Sequence, residues 1–376
     1  MALNPDAGEK LDTEERRRYS RRNAPDYDPK AKAIMDRVIP QVPDETTGEF
    51  YINKMKGFDA KAALDRARAN LFFQHARLER QYRENPELAK MLADTSALAM
   101  VQMADHAHQF IMSALTIGVP VYRNGMFTTD DFVHNGKKYK GLIEVMSLLR
   151  TPDGKNFEQL AHAYATAVRG ERLNKEGKLT PVNPGELKVL EDEVNRFINP
   201  ETGKPIVKEW FDAWQAYNSH VVKYLRDTGI VDDEGAALWL KQADYVPFYR
   251  EDKNGKLLHP RVFGGMHTAG QFKAVGTSDE ALNIDMLTAI QNNLNAAIAM
   301  GMRNVAQQRV VRDQINLGLG RMLNPGEEVG DRTTVSFKRK GKKQTAIIDD
   351  PLIYQAMLPI SEIPMDNILG QAFRKP

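Results

Sequence analysis

The chain contains no cysteine. That excludes a disulfide framework, a thiol nucleophile and thiolate-bound metal, and it suits a protein that needs no oxidising compartment. An uninterrupted apolar run of about 18 residues, the length a membrane-spanning helix requires, is also missing. The nearest stretch, Ser96–Val121, is interrupted by Gln102, Asp105, His106, His108 and Gln109 and reads as buried helix. Arg16, Arg17 and Arg18 are followed by no apolar segment, so a secretory signal is not expected. One-sided charge is lacking as well. Fifty-two basic and 50 acidic residues leave a formal +2, which gives no global preference for nucleic acid over other partners.

The usual signatures of chemistry are thin. Gly136–Lys137, Gly154–Lys155, Gly255–Lys256 and Gly341–Lys342 lack the upstream glycine of a phosphate-cradling loop. His106 and His108 stand two apart, so a helix points them to different sides and they cannot share one ion. Asp130–Asp131, Asp232–Asp233 and Asp349–Asp350 each read as caps of a following helix rather than as an acid–base pair. No catalytic residue, cofactor site or metal site is assigned.

What the chain does have is helical periodicity. Its 376 residues, 42% hydrophobic and 27% charged, suffice for two or three domains with a sizeable core. Residues 1–29 read as a flexible polar arm, 30–204 as a helical region with a small hairpin near 119–128, and 205–376 as a second helical region. Asn124–Gly125 supplies the tight turn of that hairpin and Asn135–Gly136 offers another turn. Asn85–Pro86 and Asn183–Pro184 read as helix starts, with asparagine as cap and proline first in the helix. Trp210, Phe211, Trp214, Tyr217, Val221 and Leu225 form an apolar stripe at helical spacing, which favours core over a base-stacking platform. Residues 251–275 show no period and read as a long surface loop.

The dominant element is a long helix over 279–317. Thr277 and Glu280 have capping-box spacing, apolar residues recur at Ile284, Leu287, Leu294, Ile298, Val305 and Ile315, and Gly318 ends the run. From the cap onward such a helix is about 60 Å long. Asn292, Asn293 and Asn295 lie inside it, either facing solvent or meeting one another across an interface. A hairpin over 333–348 follows, with Lys338, Arg339, Lys340, Lys342 and Lys343 at its tip. This densest basic cluster reads as a solvated tip that discourages edge pairing, or as a phosphate-contacting finger. The fold expected is mainly α, an elongated multi-helix bundle with long helices and two small β-hairpin insertions.

One set of motifs resembles a known family. The segment Tyr245-Val246-Pro247-Phe248-Tyr249-Arg250 is similar to one in large polyvalent proteins and internal virion (ejection) proteins of phages. In those proteins, too, a Gly-rich loop, a long Asn- and Ala-rich helix, a strand–Gly-Lys–strand hairpin and an Asp-Pro-Leu-hydrophobic-Tyr helix start follow in order, here through Asp350 and Pro351. The resemblance covers roughly residues 205–376. It implies a non-catalytic helical segment of a phage protein that is packaged in the virion and assists genome delivery, with a polypeptide continuing past Pro376. Its implied partners are itself or other virion proteins, with DNA and membrane as further contacts. The alternatives are a helical accessory region of a polyvalent enzyme, acting on peptidoglycan or nucleic acid, and a DNA-binding accessory protein.

Overall fold

The structure is a computed structural model that describes residues 24–38, 78–85, 96–105, 107–178, 180–241, 244, 250–251, 257–258, 286–324, 326–327, 333–350 and 353. It is mainly α, with long helices and small antiparallel β elements. The helices are α1 (Pro29–Val38), α2 (78–84), α3 (Ala97–Asp105), α4 (Ala107–Thr116), α5 (Gly141–Ser147), α6 (Glu158–Lys175), α7 (Glu186–Val194), α8 (Ile206–Asp227), α9 (Asp233–Lys241) and α10 (Met286–Asn316). The strands are β1 (Val119–Arg123), β2 (Met126–Asp130), β3 (Phe132–His134), β4 (Lys137–Tyr139), β5 (Arg250–Glu251), β6 (Leu257–Leu258), β7 (Gly320–Met322), β8 (Thr334–Arg339) and β9 (Lys342–Ile348).

The described part of α10 is 31 residues, about 46 Å at 1.5 Å per residue. It packs against α3, α4, α8 and the β7–β9–β8 sheet. Its buried residues include Ile290, Leu294, Ala297, Ile298, Met302, Val305, Ala306 and Val310, and they fall on more than one face. A helix apolar around its circumference belongs inside a fold, and alanines let neighbouring helices approach closely. Gly318, at φ +68°, ends it in a Schellman motif: Leu319 N–H donates to Gln314 O at 2.9 Å and Gly318 N–H to Ile315 O at 3.0 Å. Residues 277–285, including the Thr277–Glu280 cap, lie outside the described residues. Ile315, expected on the apolar stripe, is exposed.

The α8 stripe is core, as its spacing implies: Trp210, Phe211, Trp214, Tyr217, Val221 and Leu225 are all buried. Two of its tyrosines also carry hydrogen bonds between elements. Tyr217 Oη donates to Ala114 O at the end of α4, at 2.7 Å, and Tyr224 Oη donates to Ile298 O of α10, at 2.9 Å. Burial pushes both phenols upward, so both stay neutral donors. One hydrophobic cluster extends from Tyr27 to Ile353.

Several expectations are corrected. The last six residues of the N-terminal arm are docked rather than loose: Tyr27 is buried and Asp28 N–H donates to Glu193 Oε1 at 3.1 Å. Residues 1–23 lie outside the described part. Asn135–Gly136 is a full hairpin, β3–β4. The 333–348 hairpin gains a third strand, with β9 central and β7 pairing its free edge through Gly320↔Ile348 and Met322↔Ala346. Residues 251–275 are not all loop, since β5 pairs with β6. Asp130 and Asp131 cap no helix; they flank the β2–β3 junction and pair with Arg123 and Lys138. Asn183 bonds Glu186, but the helix itself starts at Glu186 behind a left-handed Gly185. Asn85 N–H donates to Gln81 O at 3.0 Å at the end of α2, and the helix start expected at Asn85–Pro86 falls on residues 86–95, outside the described residues. Asp232 and Asp350 do cap, accepting from Gly235 N–H at 2.7 Å and Ile353 N–H at 3.4 Å. Asn293 and Asn295 are buried within the chain and do not face solvent.

Gly301 shows how tightly α8 and α10 are fitted. A Cβ there would lie 2.5 Å from Tyr224 Cε1, and that ring is buried and held by its hydroxyl. Gly301→Ala gains about 1 kcal/mol of helix propensity but forces the ring to move. The expected outcome is a net loss of about 1–2 kcal/mol in denaturant unfolding, with an unchanged helical signal.

Candidate nucleic-acid interface

The basic hairpin is built from its turn. Lys340 and Gly341, at φ +49° and +73°, form the two-residue loop between β8 and β9. Two left-handed residues in succession are the mark of a type I′ turn, whose twist matches that of the flanking strands. Among the described residues the same turn recurs at Asn124–Gly125 (φ +54°, +82°) and Asn135–Gly136 (φ +49°, +78°). Asparagine tolerates the left-handed region; lysine does so less readily.

A polar node holds this hairpin against the body of the protein. From α10, Asn304 Oδ1 accepts Lys338 N–H at 2.7 Å, and Asn304 Nδ2 donates to Lys338 O at 2.9 Å and Thr228 O at 2.8 Å. One turn later, Gln308 Nε2 donates to the same two carbonyls, at 2.8 Å for Lys338 and 3.2 Å for Thr228. The primary amide of Asn304 thus meets both backbone groups of Lys338, as a neighbouring strand would. The end of α8 is drawn in by Thr228 and by Gly229, whose carbonyl accepts Gly341 N–H at 3.1 Å. Gly229 is required twice over: its φ is +81°, and a Cβ would approach Gln308 Nε2 to 3.0 Å.

The five basic residues divide. Lys338 is buried on β8, and desolvation holds its ammonium below the ordinary lysine range, partly offset by Asp232. It does not belong to the exposed tip. Arg339, Lys340, Lys342 and Lys343 are exposed, and no described acidic residue forms an ion pair with them. Across the ladder Arg339 faces Lys342 and Lys338 faces Lys343, so like charges stand directly opposite. Acidic residues gather on one side, where Asp232 packs under Gly341 and Asp233 is exposed near Arg226.

The remaining motif residues are only partly visible. Tyr245, Val246, Pro247, Phe248 and Tyr249 lie outside the described residues, as does Pro351. Arg250 opens β5, paired with Leu258. Asp244, just before the motif, is buried and accepts from Arg172 Nε at 2.6 Å.

A second buried polar group joins α2, α3 and α10. Tyr82 Oη donates to Asp313 Oδ2, and Ala97 N–H, at the start of α3, meets both, at 2.9 Å from Tyr82 Oη and 3.2 Å from Asp313 Oδ2. Burial, then the bond to Asp313, pushes the Tyr82 phenol upward. Gln314 Nε2 donates to Gln81 Oε1 at 2.8 Å beside it. Each group is spent on a neighbour or a helix end, which is structural work. Among the described residues no group of three His, Asp or Glu side chains is placed to hold a metal ion, and no described helix is long and apolar enough to cross a membrane.

Sequence reasoning missed Asn304 and Gln308. The available signal was an Asn/Gln pair at (i, i+4) among Met302, Val305 and Ala306, polar side chains on a face that should be apolar. Compared with known proteins, the chain matches no family model, no curated protein and no solved structure.

Asn304→Ala leaves Lys338 N–H without its partner, while Gln308 still serves both carbonyls. A loss of about 2 kcal/mol is expected in denaturant unfolding. Asn304→Asp restores an acceptor but aims a carboxylate at two carbonyl oxygens. Its folded-state pKa is then raised, so the variant is most stable below the unfolded carboxylate pKa and loses stability as pH rises through the folded one. Melting curves of the Asp variant at acidic and neutral pH check this, with Asn304→Ala as the pH-insensitive reference.

Proposed function

We propose that this chain is a non-catalytic helical scaffold segment of a phage internal virion protein that assists genome delivery. The observation that carries the reading is spatial. Motif segments recognised separately in sequence meet in one unit: α10, the β8–β9 hairpin and the Asp350 helix start share a buried core, with Val305, Val335, Ile348 and Ile353 in the same cluster. The long helix is the axis of that unit, and the hairpin is its exposed projection. Long helices suit such a role physically, because their backbone hydrogen bonds are internal and survive when helices slide or reassemble. A cysteine-free chain is also spared misoxidation on passing through an oxidising compartment.

Particle composition tests the reading. The polypeptide containing this chain is expected inside purified filled particles and lost from particles that have released their DNA. Its absence from filled particles, or its full retention in emptied ones, would overturn the proposal.

A further inference from the structure

We propose that the exposed tip of the β8–β9 hairpin, Arg339, Lys340, Lys342 and Lys343, is a rigid contact for the phosphodiester backbone of nucleic acid. This deepens the preceding reading by naming a partner chemistry, and it rests on that reading only for the biological setting.

The argument begins with what the tip costs. The turn needs two left-handed residues, and the chain fills the same turn with Asn-Gly at both other positions. Here lysine occupies the first place, where a side chain with a Cβ and no local hydrogen bond is strained. Arg339 opposite Lys342 adds repulsion between like charges. A tip selected for turn stability alone would carry neither feature. Edge protection does not require them either, since a lysine at an ordinary strand position discourages pairing without entering the left-handed region; β7 covers β9 from Ala346 to Ile348, and Asn304 occupies the outer edge of β8 at Lys338. An external polyanion offsets both costs when it binds.

Rigidity is the second observation. Asn304 and Gln308 fasten Lys338 immediately before the exposed residues, and Gly229 O fastens Gly341 between them. Four cations are therefore presented on a short fixed ladder, so little chain order is lost on binding.

The chemistry narrows the partner. The tip from Arg339 to Lys343 contains no aromatic residue, so it has no platform for base stacking. It contains no apolar residue that could enter the lipid interface, which disfavours a membrane surface. Charge alone remains, and charge alone reads backbone rather than sequence. Asp232, beside Gly341 and acting on Lys338, marks the face that Lys338 shares with Lys343; Arg339 and Lys342 stand on the other face and, with Lys340 at the turn, make the main phosphate contact.

The test is salt-dependent binding of the full chain to a short mixed-sequence DNA duplex. Each neutralised phosphate contributes about −0.9 to the slope of log K against log salt. The reading is the change on substitution, because Arg16, Arg17 and Arg18 add to the total slope. Lys340→Asn is expected to flatten the slope by about 0.9, and Arg339→Gln/Lys342→Gln together by about 1.8. Lys338→Met, at the buried position, should leave it unchanged. Lys340→Asn should also melt at or above the parent temperature, since it restores the Asn-Gly turn used elsewhere in the chain. Unchanged slopes in the tip variants, a flattened slope in Lys338→Met, or a lower melting temperature for Lys340→Asn would each overturn the proposal. Equal retention by phosphatidylserine vesicles, lost in the same tip variants, would reassign the tip to anionic lipid. None of these outcomes bears on whether the polypeptide is packaged in particles.

Discussion

One buried amide fixes the β8–β9 hairpin against the central helix and the end of α8. Asn304 stands on the central helix and satisfies a carbonyl at the end of α8 and both backbone groups of Lys338 in β8. Three elements distant in sequence meet at one side chain. A bond of this kind contributes only about 1 kcal/mol when made, but leaving its buried partners unmade costs more. The node therefore specifies geometry more than it adds stability. Without it, Val335 and Phe337 would stay buried and Gln308 would still hold the Lys338 and Thr228 carbonyls, but Lys338 N–H would lose the acceptor that fixes the strand from its donor side.

The need for such a node follows from the helix. Ridges of alanine, valine and methionine along α10 offer many nearly equivalent ways to pack, because dispersion and area burial are not directional. Tyr224 on Ile298 O, Asn304 on Lys338 and Asp313 on Ala97 N–H each break that equivalence at a different height along α10. Asn304, Asp313 and Gln314 of this helix are thus placed where another element crosses. Asn295 Oδ1 is buried with no hydrogen-bond partner among the described residues, and no physical account of it emerges from its surroundings.

This explains what could be read in advance. Element type was legible wherever one physical signal dominated: the α8 stripe, the Asn-Gly turns and the glycine that ends α10. Asp232 and Asp350 were legible as caps because capping is local. Asp130 and Asp131 misled because the same doublet also suits a strand end with cross-strand cations, and only the pairing with Arg123 and Lys138 distinguishes the two. The third strand β7 was invisible, being three residues long with no alternating pattern of its own. Burial of Lys338 was invisible for a related reason. Within a run of basic residues, composition says nothing about which strand position faces inward, and the register that decides it is set by Asn304, a residue 34 positions earlier.

The division of that basic run bears on function more than its total charge does. Lys338 carries its ammonium into a partly desolvated position where a nearby carboxylate, Asp232, offsets it, while its backbone serves as the anchor. The next residues carry charge outward, and no described acidic residue forms an ion pair with them. Anchor and contact are therefore adjacent in sequence but opposite in role: β8 is buried from Val335 through Lys338 and emerges only at Arg339, where the hairpin passes beyond the residues packed around it. If the tip were only a solubilising loop, its sequence would be free to relax toward the Asn-Gly turn the chain makes elsewhere. Lysine in a left-handed position, between like charges and on a braced strand, is instead the arrangement that the proposed phosphate contact would use.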